Sequence, residues 1–336
     1  MVKDIGSDFN INLGLFFSRK RKNIPKKAIL LASGNDCISY ILKELKPKKR
    51  VLLPSYLCPS MLLPFKKQKI NFSFYKVNKK LEIDLTDLRR KIKKEKPSAV
   101  LIIHYFGFIQ PQINKISEIC KKNKTKLIED HVQSFLSKPK LKGDYMFNSY
   151  RKWLPTPDGA FLIKKSDNRI KINKSPKKYT STRLKAGLLK NIKFLKETWR
   201  PLFVEAEENL INEYKRPARM SKVSRSILNK IDLKKITSKR RRNYTYLAKH
   251  LKPLYPTPGK EICPIGFPIT FKSKEERNTI RKKLIENKIY PPIHWALPKE
   301  IKVKESIELS NRIMTIPIDQ RYNIKDMKRV VKCIKF

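Results

Sequence analysis

Glycine is scarce in this sequence: nine of the 336 residues are glycine, where average usage would give about 24. Loops that bind phosphates are usually rich in glycine, because glycine lets the backbone approach a phosphate closely. Neither GxGxxG nor GxxxxGKS/T occurs, and the GxSxG of hydrolases and the HExxH of zinc proteases are also absent. These absences exclude the commonest nucleotide-binding and hydrolase classes.

Paired cysteines and long apolar runs are missing as well. The five cysteines are scattered and none forms a CxxC pair, so a disulfide framework and a zinc ribbon are disfavoured. No stretch approaches the ~18 apolar residues that a membrane span needs. Near the N-terminus the apolar run precedes the basic cluster, which is the reverse of a secretory signal. The sequence therefore predicts a cytoplasmic protein without a metal site and without a membrane partner.

Acidic residues are few: 29 aspartates and glutamates stand against 79 lysines and arginines, which leaves a formal net charge of +50. Such a charge suggests nucleic acid, because basic side chains displace counterions from phosphates. However, 59 of the basic residues are lysines and 20 are arginines, spread over nearly every block of ten. Nucleic-acid modules favour arginine. The pattern indicates a lysine-rich composition on solvated faces, with an attraction for small phosphorylated acids in either case.

Short apolar runs alternate with amphipathic segments over the first two thirds of the chain. The run at 99–105 is continuously apolar, which is typical of a strand buried on both faces of a parallel sheet. The other predicted strands are 50–54, 72–77, 126–129 and 159–163. The predicted helices are 34–45, 59–67, 84–96 and 113–123. This alternation predicts an α/β fold with a mostly parallel central sheet sandwiched by helices.

The last third of the chain predicts a smaller C-terminal α+β unit. Long helical patterns at 182–214 and 223–251 are followed by a proline-rich stretch at 253–268. The elements predicted after it are a strand at 267–271, a helix at 273–287, a strand at 313–318 and a helix at 324–334. The predicted domains are a large one over 1–215, with an N-terminal arm over 1–25, and a small one over 216–336 that includes the connecting helix.

Polar residues follow the predicted strands, and ligands of open α/β sheets bind at the carboxyl ends of strands. At 32–36 small residues lead into a helix, where Gly34 and Asn35 would present free backbone N–H groups to an anion. The alternative is an ordinary helix N-cap. After the strand at 50–54, Tyr56 could stack on a planar ring or simply form part of the wall.

The segment 127–133 ends a predicted buried strand with a carboxylate. A buried carboxylate is costly unless it meets a cation, so Asp130 could hold a protonated heterocyclic nitrogen. Gln133, three residues later, could reach a neighbouring oxygen. The alternative for Asp130 is a helix cap after the strand, and His131 is interpreted as a histidine satisfied by hydrogen bonds.

A turn-rich segment at 147–160 contains Lys152 beside two apolar residues, Trp153 and Leu154. Apolar neighbours would desolvate the amine and lower its pKa. Schiff-base chemistry requires a lysine of this kind. We therefore predict that Lys152 is a catalytic nucleophile.

Taken in order, these segments resemble the DegT/StrS-type sugar-nucleotide aminotransferases, a family of fold-type I pyridoxal-phosphate enzymes, over nearly the whole chain. Residues 129–133 read EDHVQ and match the most specific element of the family, Glu-Asp-x-x-Gln. Lys152, with Asp158 and Gly159 following, matches the Lys-x5-acid-Gly stretch. Further resemblances lie at 5–9, 33–38, 53–56, 104–107 and 311–318.

The resemblance implies a fold-type I aminotransferase whose large domain binds pyridoxal 5'-phosphate. By this match Lys152 forms the Schiff base with the cofactor, and Asp130 pairs with the pyridine nitrogen. The other implied cofactor contacts are Gln133 at the ring hydroxyl, Tyr56 stacked on the ring, and Gly34, Asn35 and Ser149 at the phosphate.

The implied reaction is the transfer of an amino group from a donor such as glutamate to a nucleotide-linked keto-sugar. A homodimer is implied as well, and so is a role in the biosynthesis of cell-surface polysaccharide. His294, Trp295 and Arg321 lie in the part of the chain that could contact the substrate.

Three departures from the family pattern leave alternatives open. Asn35 replaces the threonine of the phosphate turn, and Ala160 replaces the second glycine after the acid. The asparagine that the partner subunit lends in this family is missing, although Arg216 or Arg219 could replace it. One alternative is a degenerate, non-catalytic member of the family. The other, which the lysine distribution disfavours, is a basic nucleic-acid-binding protein.

Overall fold

Strands and helices alternate along the chain. The computed structural model describes residues 3–19, 21–137, 141–212 and 216–335. The strands are β1 (Ile5–Gly6), β2 (Ile29–Leu31), β3 (Val51–Pro54), β4 (Phe72–Tyr75), β5 (Ala99–Ile103), β6 (Lys126–Asp130), β7 (Tyr145–Phe147), β8 (Ala160–Lys164), β9 (Phe267–Thr270), β10 (Ile289–Tyr290) and β11 (Ile313–Ile316).

The α-helices follow the same alternation, and short 3-10 helices lie between them. The α-helices are α1 (Gly34–Leu45), α2 (Leu63–Lys67), α3 (Leu85–Glu95), α4 (Ile113–Lys122), α5 (Lys177–Leu189), α6 (Lys196–Asn212), α7 (Lys222–Leu228), α8 (Leu233–Ala248), α9 (Lys274–Glu286), α10 (Lys304–Arg312) and α11 (Ile324–Lys335). The 3-10 helices are Leu13–Phe17, Pro59–Leu62, Tyr105–Gly107, Tyr150–Lys152 and Lys193–Leu195. None of the helices in the described part of the chain has both the length and the apolar composition to cross a bilayer.

The central sheet has seven strands in the order β2-β8-β7-β6-β5-β3-β4. Neighbouring strands are parallel, except that β8 is antiparallel to both β2 and β7. Six strands therefore run in one direction, and their carboxyl ends lie at one edge of the sheet. This confirms the predicted mostly parallel sheet.

The direction of the strands brings the polar segments together. The residues after β2 and β6, at 32–36 and 131–133, leave the sheet at the same edge. The segment 148–159 connects β7, which ends there, to β8, which begins there because it is antiparallel. Sites in open α/β sheets form at such an edge.

The middle of the sheet forms the core of the large unit. All five side chains of β5 are at most 2% exposed, as the continuous apolar run predicts for a strand covered on both faces. The predicted strand is two residues too long, because Tyr105 begins a 3-10 helix. The hydrophobic cluster around β5 also contains residues of α1, α3 and α4.

A second unit is built from the last third of the chain, as predicted. β9 and β11 pair antiparallel, and residues of α8, α9 and α11 join them in a separate hydrophobic cluster. Ile5 belongs to this cluster because β1 pairs in parallel with β10. The N-terminal arm thus contacts the C-terminal unit. The domain boundary after Lys215 stays a prediction, and Lys215 lies outside the described residues.

The single helical pattern at 182–214 is wrong as one element: the structure has α5 and α6 with a break between them, and Tyr214 lies outside the described residues. Asn191 ends the first helix, since its side-chain amide donates to the carbonyl oxygens of Leu188 (2.9 Å) and Ile11 (2.8 Å). One capping side chain leaves the hydrophobic periodicity on either side unchanged, so periodicity alone does not reveal such a break.

The pattern at 223–251 is divided for a similar reason. Asp232 caps α8 by accepting a hydrogen bond from the N–H of Lys235 (3.0 Å), which separates this helix from α7. The short strands β1, β7 and β10 and the amphipathic helix α10 are missing from the sequence prediction.

Lysine occupies positions that usually select glycine. Five of the eight described non-glycine residues with positive φ are lysines. Lys46 (φ 43°) and Lys96 (φ 44°) are the left-handed C-caps of α1 and α3. Glycine is preferred there because a Cβ crowds the left-handed backbone. The lysine excess thus extends to places where a lysine is structurally costly, which supports a compositional origin.

We expect Lys96→Gly to stabilise the protein by about 0.5–1 kcal/mol, because the strain removed exceeds the entropy that glycine adds to the unfolded chain. Lys94→Gly, within the last turn of α3, is the matched control and should destabilise by up to about 1 kcal/mol. Urea unfolding measures both free energies. Equal losses of stability in the two variants would refute the strain at Lys96.

Candidate active site

A cavity of about 310 Å³ lies at the carboxyl-end edge of the sheet. The predicted site residues that line it are Gly34, Asn35, Asp130, Gln133, Ser149 and Lys152. Asp130 and Lys152 therefore face the same space, although they belong to different strand ends. Tyr56 is the predicted site residue that does not line it.

The start of α1 forms one end of the cavity. Ser33 caps the helix by accepting a hydrogen bond from the N–H of Asp36 (3.3 Å). First-turn N–H groups have no partner within a helix, and the helix dipole adds a partial positive charge. A Cβ on Gly34 would lie 3.3 Å from Cγ2 of Val132, so glycine keeps this wall clear. The arrangement suits an anion.

Asp130 is the last residue of β6 and is 3% exposed. Burial raises the pKa of its carboxyl group to about 7, although its Oδ1 accepts a hydrogen bond from the N–H of Val132 (2.7 Å). No cation from the described residues pairs with Asp130. A ligand with a protonated nitrogen would supply the missing positive charge.

Gln133 lies on the turn after β6 and has one of its two amide atoms occupied. Its Oε1 accepts a hydrogen bond from the backbone N–H of Phe106 (2.9 Å). Only the amide nitrogen remains to donate towards the cavity. Gln133 therefore suits an oxygen acceptor on a ligand.

Lys152 is the last residue of the 3-10 helix after Ser149, which also lines the cavity. Lys152 is exposed on the wall of the cavity, although neighbouring protein atoms partly desolvate its amine. No described residue forms a hydrogen bond or an ion pair with its Nζ. The positive charge of Arg151 lowers the pKa of Lys152, and burial lowers it further. The sequence predicts a lowered pKa of Lys152 from the apolar neighbours Trp153 and Leu154, but the guanidinium of Arg151 contributes most to it.

Tyr56 does not line this cavity, and its predicted stacking on a ring stays a prediction. Its side chain is completely buried, and its hydroxyl donates to the carbonyl oxygen of His294 behind the cavity wall. A buried tyrosine hydroxyl requires such a partner. Its ring packs against those of Tyr105 (6.0 Å between centroids) and Trp295 (5.7 Å). Trp295 and Cys58 line the cavity instead.

Arg151 and Glu207 line the cavity, and sequence analysis did not single them out. Glu207 lies on α6 and accepts two hydrogen bonds from Arg151 (2.7 and 3.2 Å) and one from Arg183 (2.7 Å). Arg151 could have been flagged by its position beside Lys152. Nothing in the pattern marks Glu207, because only the fold brings α6 to the edge of the sheet.

His294 and Trp295 lie at the cavity, in line with the part of the chain expected to contact substrate. Burial lowers the pKa of His294 to about 3, and the charge of Lys152 contributes, so His294 is neutral. Arg321 lines a neighbouring chamber of about 170 Å³ that Lys152 and His294 share. Its guanidinium is already bound to Asp319 (2.8 and 2.9 Å).

Arg216 and Arg219, which could replace the missing asparagine, do not line the cavity of their own chain, and a contact with the cavity of a partner subunit stays a prediction. Nη1 of Arg216 donates to Oδ2 of the buried Asp36 (3.0 Å) and to Oγ of Ser33 (3.2 Å). Arg216 thus anchors the start of α1 from behind. Any effect of Arg216 on an anion at this helix start would therefore pass through the helix.

A buried cluster of Glu129, His104 and His131 lies next to the site, with ligand atoms within 4.8 Å of one another. Nε2 of His104 lies 3.1 Å from Glu129, and its Nδ1 accepts the N–H of Gln110 (3.0 Å). The proton of His104 is therefore on Nε2, where a metal would have to bind. Burial raises the pKa of Glu129, but hydrogen bonds from both histidines and Gly143 outweigh it and hold the pKa well below its ordinary value. The cluster fits a structural hydrogen-bond network.

Comparison with known proteins gives one family match and a set of similar structures. Residues 23–143 match the DegT/DnrJ/EryC1/StrS aminotransferase family. A DegT DnrJ EryC1 StrS aminotransferase from Brucella abortus is 16% identical, with a TM-score of 0.66 over 92% of this chain and 85% of that one. Helicobacter pylori PseC, an aminotransferase involved in the biosynthesis of pseudoaminic acid, is 12% identical, with a TM-score of 0.70 over 99% and 98%.

A third structure, Spr1654 of Streptococcus pneumoniae in a PLP form, is 12% identical, with a TM-score of 0.68 over 99% and 98%. At these identities the solved structures establish the fold of this chain. The family match ends before Ser149 and Lys152. The roles of these two residues therefore depend on the geometry of the cavity.

Asp130→Asn should stabilise the protein in the absence of ligand at pH 8. The pKa of Asp130 is raised from 3.8 to about 7. Between these values the unfolded chain has already lost a proton that the folded protein retains, so stability falls as the pH rises through this interval and stays low above it. We expect a gain of about 2–4 kcal/mol at pH 8 that shrinks towards pH 4.

Urea unfolding at pH 8 and pH 4 measures this difference. Asparagine keeps an acceptor for the N–H of Val132 and carries no charge, so it changes little else. A variant that is less stable than the wild type at pH 8 would contradict an uncompensated carboxylate at Asp130.

Proposed function

We propose that this chain is a pyridoxal-phosphate-dependent aminotransferase of the DegT/DnrJ/EryC1/StrS type. Its acceptor is then a nucleotide-linked keto-sugar and its donor an amino acid such as glutamate. The observation that supports this most is that Asp130 and Lys152 face one cavity. The net charge of +50 suits a substrate that carries a diphosphate.

The cavity fits pyridoxal phosphate in three respects. Asp130 lacks a cation, which a protonated ring nitrogen would supply. The N–H groups of Gly34 and Asn35 at the start of α1 suit the phosphate, and the hydroxyl of Ser149 is available on the same wall. Lys152 offers an amine without a partner.

When bound, pyridoxal phosphate supplies an electron sink for the bond changes at the donor carbon. The chain supplies position and charge. Asp130 would keep the ring nitrogen protonated, since a close, poorly solvated ion pair is strong. Gln133 would donate from its amide nitrogen to the ring hydroxyl oxygen. Trp295 and Phe147 are aromatic side chains on the wall, and either could cover a ring.

Lys152 would serve twice through the same atom. Its Nζ would hold the cofactor at its aldehyde group and would also carry the proton that leaves the donor carbon. A lowered pKa suits both roles, because a neutral amine is needed to attack and to accept a proton. Neutral His294 lies beside it and adds no competing positive charge.

We propose that the enzyme works in the cytoplasm, because its five cysteines are all free. We also propose a homodimer. Large apolar side chains are exposed on the N-terminal arm, where Leu13 is 62% and Phe17 89% exposed, and on the α5–α6 hairpin, where Phe194 is 86% and Val204 60% exposed. Exposed apolar groups of this size usually mark a contact surface.

Lys152→Ala should abolish the near-visible absorbance of the protein with added pyridoxal phosphate. The rate of amino transfer from glutamate should fall by at least about 10³-fold, because the variant lacks both the covalent attachment and the proton carrier. Lys185→Ala, an exposed lysine on α5, is the control and should behave as the wild type. Spectra and single-turnover kinetics check both. Full activity in Lys152→Ala would refute the role.

Phe194→Ser should shift the protein from dimer to monomer in sedimentation velocity, because it removes an apolar side chain from the proposed contact surface. Glu197→Ser, at a nearby exposed polar position, should leave the dimer unchanged. A monomeric wild type, or a dimer that is insensitive to Phe194, would count against this surface.

A further inference from the structure

An alternating row of charges ends at Lys152. Asp8 of the N-terminal arm pairs with Arg183 of α5 (2.5 Å). Arg183 pairs with Glu207 of α6 (2.7 Å), which in turn accepts two hydrogen bonds from Arg151. Arg151 immediately precedes Lys152 and shares the cavity with it. The row contains two positive and two negative charges, so it is neutral apart from Lys152.

The guanidinium of Arg151 is fixed in place. Its side chain is only 10% exposed, and both terminal nitrogens are bonded to Glu207. Its Nε is buried without a partner, which costs free energy. Glu207 therefore fixes the position of the Arg151 guanidinium, although one of its N–H groups has no hydrogen-bond acceptor.

We propose that Arg151, held by Glu207, is a positioning residue for Lys152: its fixed positive charge keeps the neighbouring amine neutral and therefore nucleophilic. Two positive charges in one enclosed space repel each other much more strongly than in water. A mobile arginine would turn towards solvent and lose this effect, whereas the contact with α6 prevents it. The lowered pKa of Lys152, to which Arg151 contributes most, agrees with this geometry.

The other charged groups around Lys152 do not reverse the effect. Besides Arg151, the titratable groups near it on the cavity side are Glu207 on α6, Arg183 on α5, Cys58 after β3, Asp130 at the end of β6 and His294 after β10. The neighbouring chamber adds Tyr290, Arg240 and Arg321, with Asp319, which is paired with Arg321. Only the carboxylates among these strongly favour a protonated amine. Glu207 is bound to two arginines, and the raised pKa of Asp130 weakens its negative charge at neutral pH. Arg151 therefore dominates.

The role of Lys152 as a nucleophile rests on the proposed function. The effect of Arg151 on the protonation of Lys152 does not. The test therefore uses the full-length protein without added cofactor. Brief pulses of acetic anhydride between pH 6 and pH 10.5, followed by peptide mass spectrometry, give the midpoint pH at which Lys152 becomes reactive. The wild-type midpoint should lie at least about one pH unit below the ordinary lysine value of about 10.4.

Three variants separate charge from structure. Arg151→Gln removes the charge and should raise the midpoint by about one pH unit or more. Arg151→Lys retains the charge and should stay close to the wild type. Glu207→Gln keeps an acceptor for Arg151 but removes a negative charge, so its midpoint should fall. Damage to the fold would move the midpoints of these variants in the same direction, whereas the charge effect moves those of Arg151→Gln and Glu207→Gln in opposite directions. Arg200→Gln, an exposed arginine on α6, is the control and should not change.

A wild-type midpoint near 10.4, or an unchanged midpoint in Arg151→Gln, would overturn the inference. The inference would also be overturned if Arg151→Gln weakened phosphate binding and left the midpoint of Lys152 unchanged, since Arg151 would then be an anion ligand. Failure to bind pyridoxal phosphate would refute the proposed function and leave the labelling result intact.

Discussion

Burial of one carboxylate, Asp130, at the end of β6 is the constraint around which the site is arranged. Water scarcely reaches this group, and among the described residues the N–H of Val132 is the only hydrogen-bond donor to its carboxylate. Such a residue weakens the folded protein and becomes favourable only when a cation enters the cavity. The free energy that the protein loses in the empty state is recovered on binding. The stability of the protein and its recognition of a ligand therefore depend on the same carboxyl group, that of Asp130.

The cavity separates its charges in space. The start of α1 offers positive potential, Asp130 offers negative charge and Lys152 offers an amine, and all three line the cavity. A ligand with a phosphate at one end and a protonated ring nitrogen elsewhere matches this distribution. Six strands that run in one direction make the match possible, because segments distant in sequence leave the sheet at one edge.

Much of the fold and site could be predicted from the sequence, since both depend on local patterns. The buried strand β5 follows from an uninterrupted apolar run, and the segment EDHVQ marks the end of β6. Features that depend on tertiary contact escaped. The orientation of Tyr56 follows from the carbonyl oxygen of His294, to which its hydroxyl donates, and Glu207 lines the cavity only because tertiary contacts place α6 there. The helix breaks depend on single capping residues that leave periodicity unchanged.

The central claim is that Asp130 and Lys152 share one bound ring. Borohydride reduction of the protein with pyridoxal phosphate, followed by peptide mass mapping, tests this most directly. The account predicts one reduced cofactor per chain, attached to Lys152. Attachment to any of the other lysines, or no stable attachment at all, would contradict it.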